Sequence, residues 1–545
     1  MNDGTVQHTD LRPISDIAQK LGLAPSDIVQ LGPWKAKIPL DIIYQHPRKA
    51  RTVLMTSINP TPPGEGKTTM SIGLADAMRR RGVKATAVLR EPSLGPTFGM
   101  KGGATGGGQA QIEPARDINL HFTGDFHAIT AAHNLLAALV DNELYHGTRL
   151  SGVKPGNVTL KRVLDVNDRS LRHIVIGLGG PGQGVVRETG FDITAASEVM
   201  AILTLSKDLA ELRERLSRMI IARSGSGFVS VAELGAEDAL TTLLTDAIMP
   251  NLVQTREHTP AIVHGGPFAN IAHGCNSIIA TEAGLRFSDV VITEAGFGAD
   301  MGAEKFLDIK APTADLNPDV AVVVVTLRAL RYHGGQALKD TDKPDQAALE
   351  RGCENLEKHL ANLKSYGLPV VVGINRFESD SDTEIQWLIN HLAQQDVPAA
   401  PATVFREGGA GGEELARVVE GVLEQKTAQY RPLYTPDMPV VNKIRTIAEQ
   451  IYGAARVDFG PQARTALKRI ERWGLNDLGV CIAKTQYSLS DDPSRLGRPR
   501  DFTLNIRDIE ISRGAGYVVP LAGSMIRMPG LPKDPAAFKM TPADN

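Results

Sequence analysis

The run Thr61-Pro62-Pro63-Gly64-Glu65-Gly66-Lys67-Thr68-Thr69 holds the residue types that a chain of phosphates requires. Gly64 and Gly66 let backbone amides approach a ligand with no Cβ in the way. A lysine placed like Lys67 reaches terminal phosphate oxygens, and the Thr68 hydroxyl suits magnesium. An apolar run precedes the loop, and Met70, Leu74, Ala77 and Met78 follow it at helical spacing. Strand, glycine loop and helix therefore stand in the order of a phosphate cradle. Thr61, Pro62, Pro63, Gly64, Glu65, Gly66, Lys67 and Thr68 are the candidate nucleotide-binding residues, with Thr68 the candidate Mg2+ ligand. Thr61 replaces the usual first glycine, so the loop is a variant of the motif.

The next apolar run ends in Arg90-Glu91-Pro92-Ser93-Leu94-Gly95-Pro96. A guanidinium at a strand's carboxyl end, on a strand neighbouring that of the phosphate loop, would share its crevice. Its planar fork suits a carboxylate or an acyl phosphate. Taken alone, Arg90 reads better as one half of a surface ion pair with Glu91 or another acid.

Other patterns say less. Gly177, Gly179 and Gly182 satisfy a literal GxGxxG, and Gly296, Gly298 and Gly302 lie between a strand and a helix. The first opens no convincing helix, since Gln183-Gly184-Val185-Val186 is soon interrupted by Thr189-Gly190, and the second leads to a strand ending Thr326-Leu327-Arg328 with no acid to hold a ribose, so tight turns at a sheet edge account for both better than a dinucleotide. His127 and His133 are six residues apart, which leaves them roughly 120° apart around a helix, not on one face. With His121 they read as structural or supporting groups and not as metal ligands. The glycine-rich Gly102–Gly108 reads as a mobile cover over the substrate.

These residues need a scaffold, and the apolar runs supply one. Candidate strands are Thr52–Ile58, Lys84–Leu89, His173–Ile176, Ala261–His264, Asp289–Thr293, Val320–Thr326 and Pro369–Ile374. They are rich in Val and Ile without strict polar alternation, as buried parallel strands are. The expected fold is α/β: a phosphate-loop NTPase-like, mostly parallel sheet with helices on both faces, plus smaller α/β domains. Expected domains are 1–318 with the phosphate loop, 319–430 as a second α/β unit, and an α+β unit over 431–545, with a helix near Asn442–Ala454 and strands near Phe502–Ile511 and Tyr517–Ala522.

Of the 545 residues 42% are hydrophobic and 22% charged, the balance of a soluble globular protein. With 59 Lys and Arg against 62 Asp and Glu, the charge gives no reason to expect nucleic acid or an anionic membrane as partner. Cys275, Cys353 and Cys481 form no CxxC, which suits a reducing compartment. The start of the chain, Met1 to Ala18, is polar, and no stretch reaches the length of a membrane span, so a cytoplasmic location is expected.

Along nearly its whole length the chain resembles the formate–tetrahydrofolate ligases. The matching segments are Thr61–Thr69, Arg90–Gly99 with Lys101–Gln109, Asp117–Asn134, Arg187–Ala201, His264–Cys275, Thr293–Lys310 and Gly373–Phe377. The regulatory deviant-Walker ATPases, the rival reading, share only the first. The resemblance implies a monofunctional ligase that uses ATP with Mg2+ to turn formate into formyl phosphate and passes the formyl group to tetrahydrofolate. It implies that Lys67 and Thr68 with their loop bind ATP, and that Arg90, Glu91 and the Ser93–Gly95 turn line the formyl phosphate site, with Lys67, Arg90 and Glu91 the catalytic set. Phe297 and Phe377 would flank the folate rings. Phe405 stands where the family often carries Trp, giving a smaller stacking surface. Homotetramers stimulated by a monovalent cation such as K+ belong to the same expectation. Glu91, Asp125 and phosphate itself stay open as the base for the amine proton.

Overall fold

The computed structural model describes residues 10–540 except 102, 151 and 226. The first nine residues of the polar N-terminus and Gly102 of the glycine loop thus lie outside the described residues. The elements that matter for the site are β1 (Arg51–Ser57), α1 (Lys67–Arg80), β2 (Ala85–Leu89), α2 (Asp125–His146), β3 (Asn251–Thr255), β4 (Pro260–Val263), α3 (Ile278–Phe287), β5 (Val290–Glu294), β6 (Val320–Val325), α4 (Gln346–Ser365), β7 (Val370–Asn375), β8 (Ala399–Ala402) and α5 (Glu413–Gln425).

Their sheet runs in the order β3-β4-β2-β5-β1-β6-β7-β8, with β3 antiparallel to β4 and the remaining neighbours parallel. Alternation along each strand explains why helices cover both faces. Val53, Met55, Val322 and Val324 pack with Met70, Leu74 and Met78 of α1 and Leu415 and Val419 of α5. Leu54, Ala321, Val323 and Val325 point the other way, into a core with α3 and α4. Period-two side chains on a doubly covered sheet must feed two cores, which is why these strands lack polar alternation.

The chain leaves β1 through α1 toward the β2 side and later passes from β5 across β1 to β6. That reversal opens a crevice outside the carboxyl ends of β5, β1 and β6, the usual place for a ligand in such a sheet. The ladder from β1 to β6 pairs Val53 with Val320, so 319–430 hangs its strands on the same sheet as 1–318. Residues 431–540 form a separate four-stranded sheet of Arg456–Phe459, Gly479–Val480, Thr503–Ser512 and Tyr517–Ala522, with a helix at Val440–Thr446.

One expected strand lies elsewhere in the structure. Ile174–Ile176 pairs antiparallel with Arg187–Thr189 in a hairpin away from the main sheet. The Gly177–Gly184 turn, with φ of +77° at Gly177 and +109° at Gly179, brings the chain straight back, so no crossover helix can intervene. Among the strands not expected from the sequence are β3 and β8 of the main sheet. In β3 the buried Asn251, Gln254 and Thr255 mask the apolar signal, and β8 reads Ala-Ala-Pro-Ala. Among the described residues no helix is long and apolar enough to cross a membrane.

Candidate active site

The loop after β1 is closed from within. The Glu65 carboxylate turns inward and accepts bonds from the Thr61 amide and hydroxyl, each 2.8 Å, and from the Thr326 hydroxyl at the end of β6. Thr61 thus ties the loop with its side chain where the usual motif has glycine. Burial pushes the Glu65 carboxyl above its ordinary range. Gly66 sits at φ +70°, and a Cβ there would lie 2.6 Å from the Asn375 amide nitrogen, which itself donates to the Glu65 carbonyl at 3.0 Å. Glycine is required here twice over, for the left-handed turn and for the contact. The helix starts directly after it, which points the first orphan amides of α1 at the loop mouth.

Lys67 leads that helix, and its Nζ donates to the Phe297 carbonyl at 2.6 Å. Ser57 donates to the same carbonyl at 2.9 Å. Phe297 reaches this position with φ +59°, a left-handed conformation that costs a bulky residue on the order of 1–3 kcal/mol. Behind it the fully buried Asp300–Lys484 pair, 2.7 Å apart, anchors the segment to the C-terminal unit.

Glu294, the last residue of β5, joins the two halves of the crevice. Its Oε2 accepts from the Thr68 hydroxyl at 2.8 Å, and its Oε1 lies 3.9 Å from Arg90 Nε. The strand of Arg90 is therefore not the immediate neighbour of β1, as the sequence suggested, because β5 stands between them. Arg90 also donates to the Pro267 carbonyl at 3.2 Å, and a Cβ on Gly296 would lie 2.9 Å from its guanidinium. Gly296 leaves the space that the arginine uses. Its partner Glu294 is inside the crevice, so a surface ion pair with Glu91 does not describe it.

Glu91 is buried, with its Oε2 making no hydrogen bond. Burial, followed by the charge of Asp125, drives its carboxyl well above the usual carboxylate range. Asp125, at the start of α2, is occupied on both oxygens, by Lys37 at 2.8 Å and Asn251 at 2.7 Å.

The aromatic residues stand on the other side of the loop. Asn375 of β7 pairs with Ala402 of β8, so Phe377 and Phe405 emerge from adjacent strand ends. Arg406 and Glu378, 3.4 Å apart, bridge the two loops. The Arg328 guanidinium lies 4.5 Å over the Phe377 ring, and Arg328 belongs to the helix that Thr326 caps. Phe405 is 60% exposed.

The sequence profile described as formate–tetrahydrofolate ligase matches residues 2–545. The formate–tetrahydrofolate ligase of Latilactobacillus sakei is 52% identical over 535 residues, covering 98% of this chain and 96% of the relative. That of Limosilactobacillus fermentum is 53% identical over 532 residues, covering 97% and 96%. The chain belongs to the formate–tetrahydrofolate ligase family.

In this member of the formate–tetrahydrofolate ligase family, tertiary structure brings Thr61–Thr68, Arg90 and the Phe297 backbone to one crevice and sets Phe377 and Phe405 beside it. Sequence reading missed Glu294, Asn375 and Thr326. For Glu294 a signal existed: an acid closing an apolar strand, Val290–Glu294, like the carboxylate that holds magnesium in phosphate-loop enzymes. In the glycine segment Gly106–Gly107 pairs with Ala110–Gln111 in a tight hairpin packed on α1 and Phe405. Gln109 donates to the Phe405 carbonyl at 2.8 Å, and a Cβ on Gly106 would strike the Ile72 side chain at 2.7 Å. Its glycines serve close packing against α1 and Phe405. His121 and His127 bond each other at 2.8 Å, and His133 contacts the Lys161 carbonyl at 3.0 Å, where burial lowers its pKa to about 4.

Proposed function

We propose that this chain uses ATP to ligate formate to tetrahydrofolate, yielding 10-formyltetrahydrofolate, ADP and phosphate through formyl phosphate. The observation that supports the proposal is Glu294, whose carboxylate accepts from Thr68 at 2.8 Å and lies 3.9 Å from Arg90, between the residues we assign to nucleotide and to formate. A formate oxygen attacks the γ-phosphorus and ADP leaves; the folate N10 then attacks the formyl carbon and phosphate leaves. The protein's share is alignment and charge neutralisation. Lys67 and the loop amides take the phosphates, and Arg90 holds the formate and then the acyl phosphate by paired hydrogen bonds. The Thr68 hydroxyl and Glu294 carboxylate are adjacent hard oxygen donors and fit Mg2+. Held there with ATP, Mg2+ would supply charge neutralisation for the phosphates.

Glu91 is better suited than Asp125 to receive the amine proton, because its Oε2 has no partner while both Asp125 oxygens are held. Phe377 and Phe405 on one side of the loop and Phe297 on the other are the folate contacts we propose. Stimulation by K+, a homotetramer and a cytoplasmic location complete the proposal on the strength of the resemblance. Titration with KCl against NaCl and sedimentation of the purified protein test the first two.

The test of function is ADP release with formate and tetrahydrofolate present together and with each omitted. Sustained release only with both supports ligation; equal release with neither would make the chain a nucleotide switch. Arg90→Ala should lower kcat/KM for formate on the order of a hundredfold, and Arg90→Lys less, since it keeps charge but loses the fork. ATP KM should stay near wild type. Unchanged formate kinetics in Arg90→Ala would remove the arginine from the site.

A further inference from the structure

The segment that carries Arg90 is held from two sides. At one end the Glu91 amide donates to the Gly265 carbonyl at 2.8 Å. At the other, the Ser93–Gly95 turn meets two side chains of a single loop. Asp165 accepts from the Ser93 hydroxyl at 2.7 Å through one oxygen and from the Leu94 amide at 2.8 Å through the other. Asn167 donates to the Gly95 carbonyl at 3.1 Å. The turn opens the short helical stretch Leu94–Lys101, and the clamp grips its first residues. Gly95 carries no side chain, Pro96 has no N–H, and the internal ties run from Thr97 back to the Ser93 carbonyl. The fit is close: a Cβ on Gly95 would lie 2.6 Å from Asn167 Oδ1 and 2.5 Å from Ile193, and one on Gly99 would lie 2.8 Å from Asn167 Nδ2.

The clamp is itself rigidly mounted. It follows the strand Arg162–Leu164, which pairs with Phe191–Ile193. Both backbone groups of Val163 are held by the Asn134 side chain of α2, at 2.9 and 3.0 Å. Beyond the clamp, the Arg172 guanidinium donates to the Met528 carbonyl at 2.9 Å, so the C-terminal segment braces the same loop. A mount fixed in this way sets where that turn lies relative to Arg90.

We propose that Asp165 and Asn167 are positioning residues of the formate pocket, holding the Ser93–Gly95 turn at the height at which it meets the anion bound by Arg90. This rests on the formate-site reading above. Neither residue needs to touch formate; each acts through the turn. Losing one hydrogen bond to a charged group, or shifting a wall by an ångström, costs roughly ten- to hundredfold in turnover of the affected substrate.

The experiment is steady-state kinetics on the full chain for Asp165→Asn, Asn167→Ala and Arg90→Lys, varying formate, ATP and tetrahydrofolate in turn. Asp165→Asn keeps one acceptor oxygen but loses the second, and Asn167→Ala loses the bond to Gly95. Each should lower kcat/KM for formate about tenfold while KM for ATP and tetrahydrofolate stays within about twofold. Asp165→Asn combined with Arg90→Lys should lose less than the product of the single losses, because both act on one bound anion. If Asp165→Asn folds poorly, Asn167→Ala with its intact carboxylate carries the test. The proposal is overturned if formate kinetics stay at wild type in both clamp variants while Arg90→Lys impairs them, or if all three substrates are affected alike. If Arg90→Lys is silent too, the formate-site reading falls and the clamp falls with it.

Discussion

On the phosphate side of the crevice nearly every polar atom has an assigned place: Thr61, Thr326 and Asn375 close around Glu65, and Glu294 meets Thr68. On the aromatic side, Phe405 is 60% exposed and Phe377 lies beneath a single guanidinium. The first region is bonded before any ligand arrives; the second presents faces and leaves contacts to be made. Developing charge on a phosphoryl group gains from donors that need not reorganise. A flat ring gains mainly from area and tolerates small shifts in the surface that receives it. One sheet edge therefore supports a rigid cradle on β1 and an open shelf on β7 and β8.

The comparison breaks most visibly at Lys67. Lys67→Ala should cut turnover about 10²–10³-fold with the fold retained, read as kcat at saturating ATP alongside circular dichroism. Normal turnover would mean the cradle is not where phosphate chemistry happens. Phe377→Ala should raise KM for tetrahydrofolate roughly three- to tenfold, the loss of one ring contact, and leave KM for ATP unchanged. A change in thermal stability with no folate effect would make Phe377 a packing residue.

The rigid side extends along α1 to Asp76, which accepts from Thr255 at 2.6 Å and whose other oxygen makes no bond. Burial raises its pKa from 3.8 to about 7. Folding thus favours the protonated form, and the group's contribution to stability is full below pH 3.8 and lost as pH rises through about 7. Asp76→Asn, uncharged throughout, should raise Tm at pH 8 more than at pH 5; an equal shift at both would contradict the buried, protonated carboxyl. The smallest effect belongs to the shelf: Phe405→Trp adds ring area at an exposed position and should tighten tetrahydrofolate about two- to threefold. No change in folate KM would place Phe405 outside the folate contact and leave it as the partner of the glycine hairpin.

Much of this could be read along the chain. The phosphate loop was visible because its parts are consecutive: an apolar strand, two glycines, a lysine and a helix, each dictated by residues within one or two turns of it. The parallel strands were visible for the same reason, since Val320–Val325 and Val370–Asn375 are continuous apolar runs. Strand β3 was not, because polar side chains that it buries find partners far away in the sequence, such as Asp125 for Asn251 and Asp76 for Thr255. The packing of the glycine hairpin was not legible because a glycine run looks alike whether it is free or packed, and only Ile72 and Phe405 distinguish the two. The sequence by itself determined which groups were available: a lysine and hydroxyl for phosphate, an arginine for an anion, aromatic rings for a flat ligand. Tertiary structure alone decided that β5 lies between the strands of Lys67 and Arg90, so that Glu294 reaches both. Strand order follows from how distant segments pack and cover one another, a global balance of burial that no local pattern records.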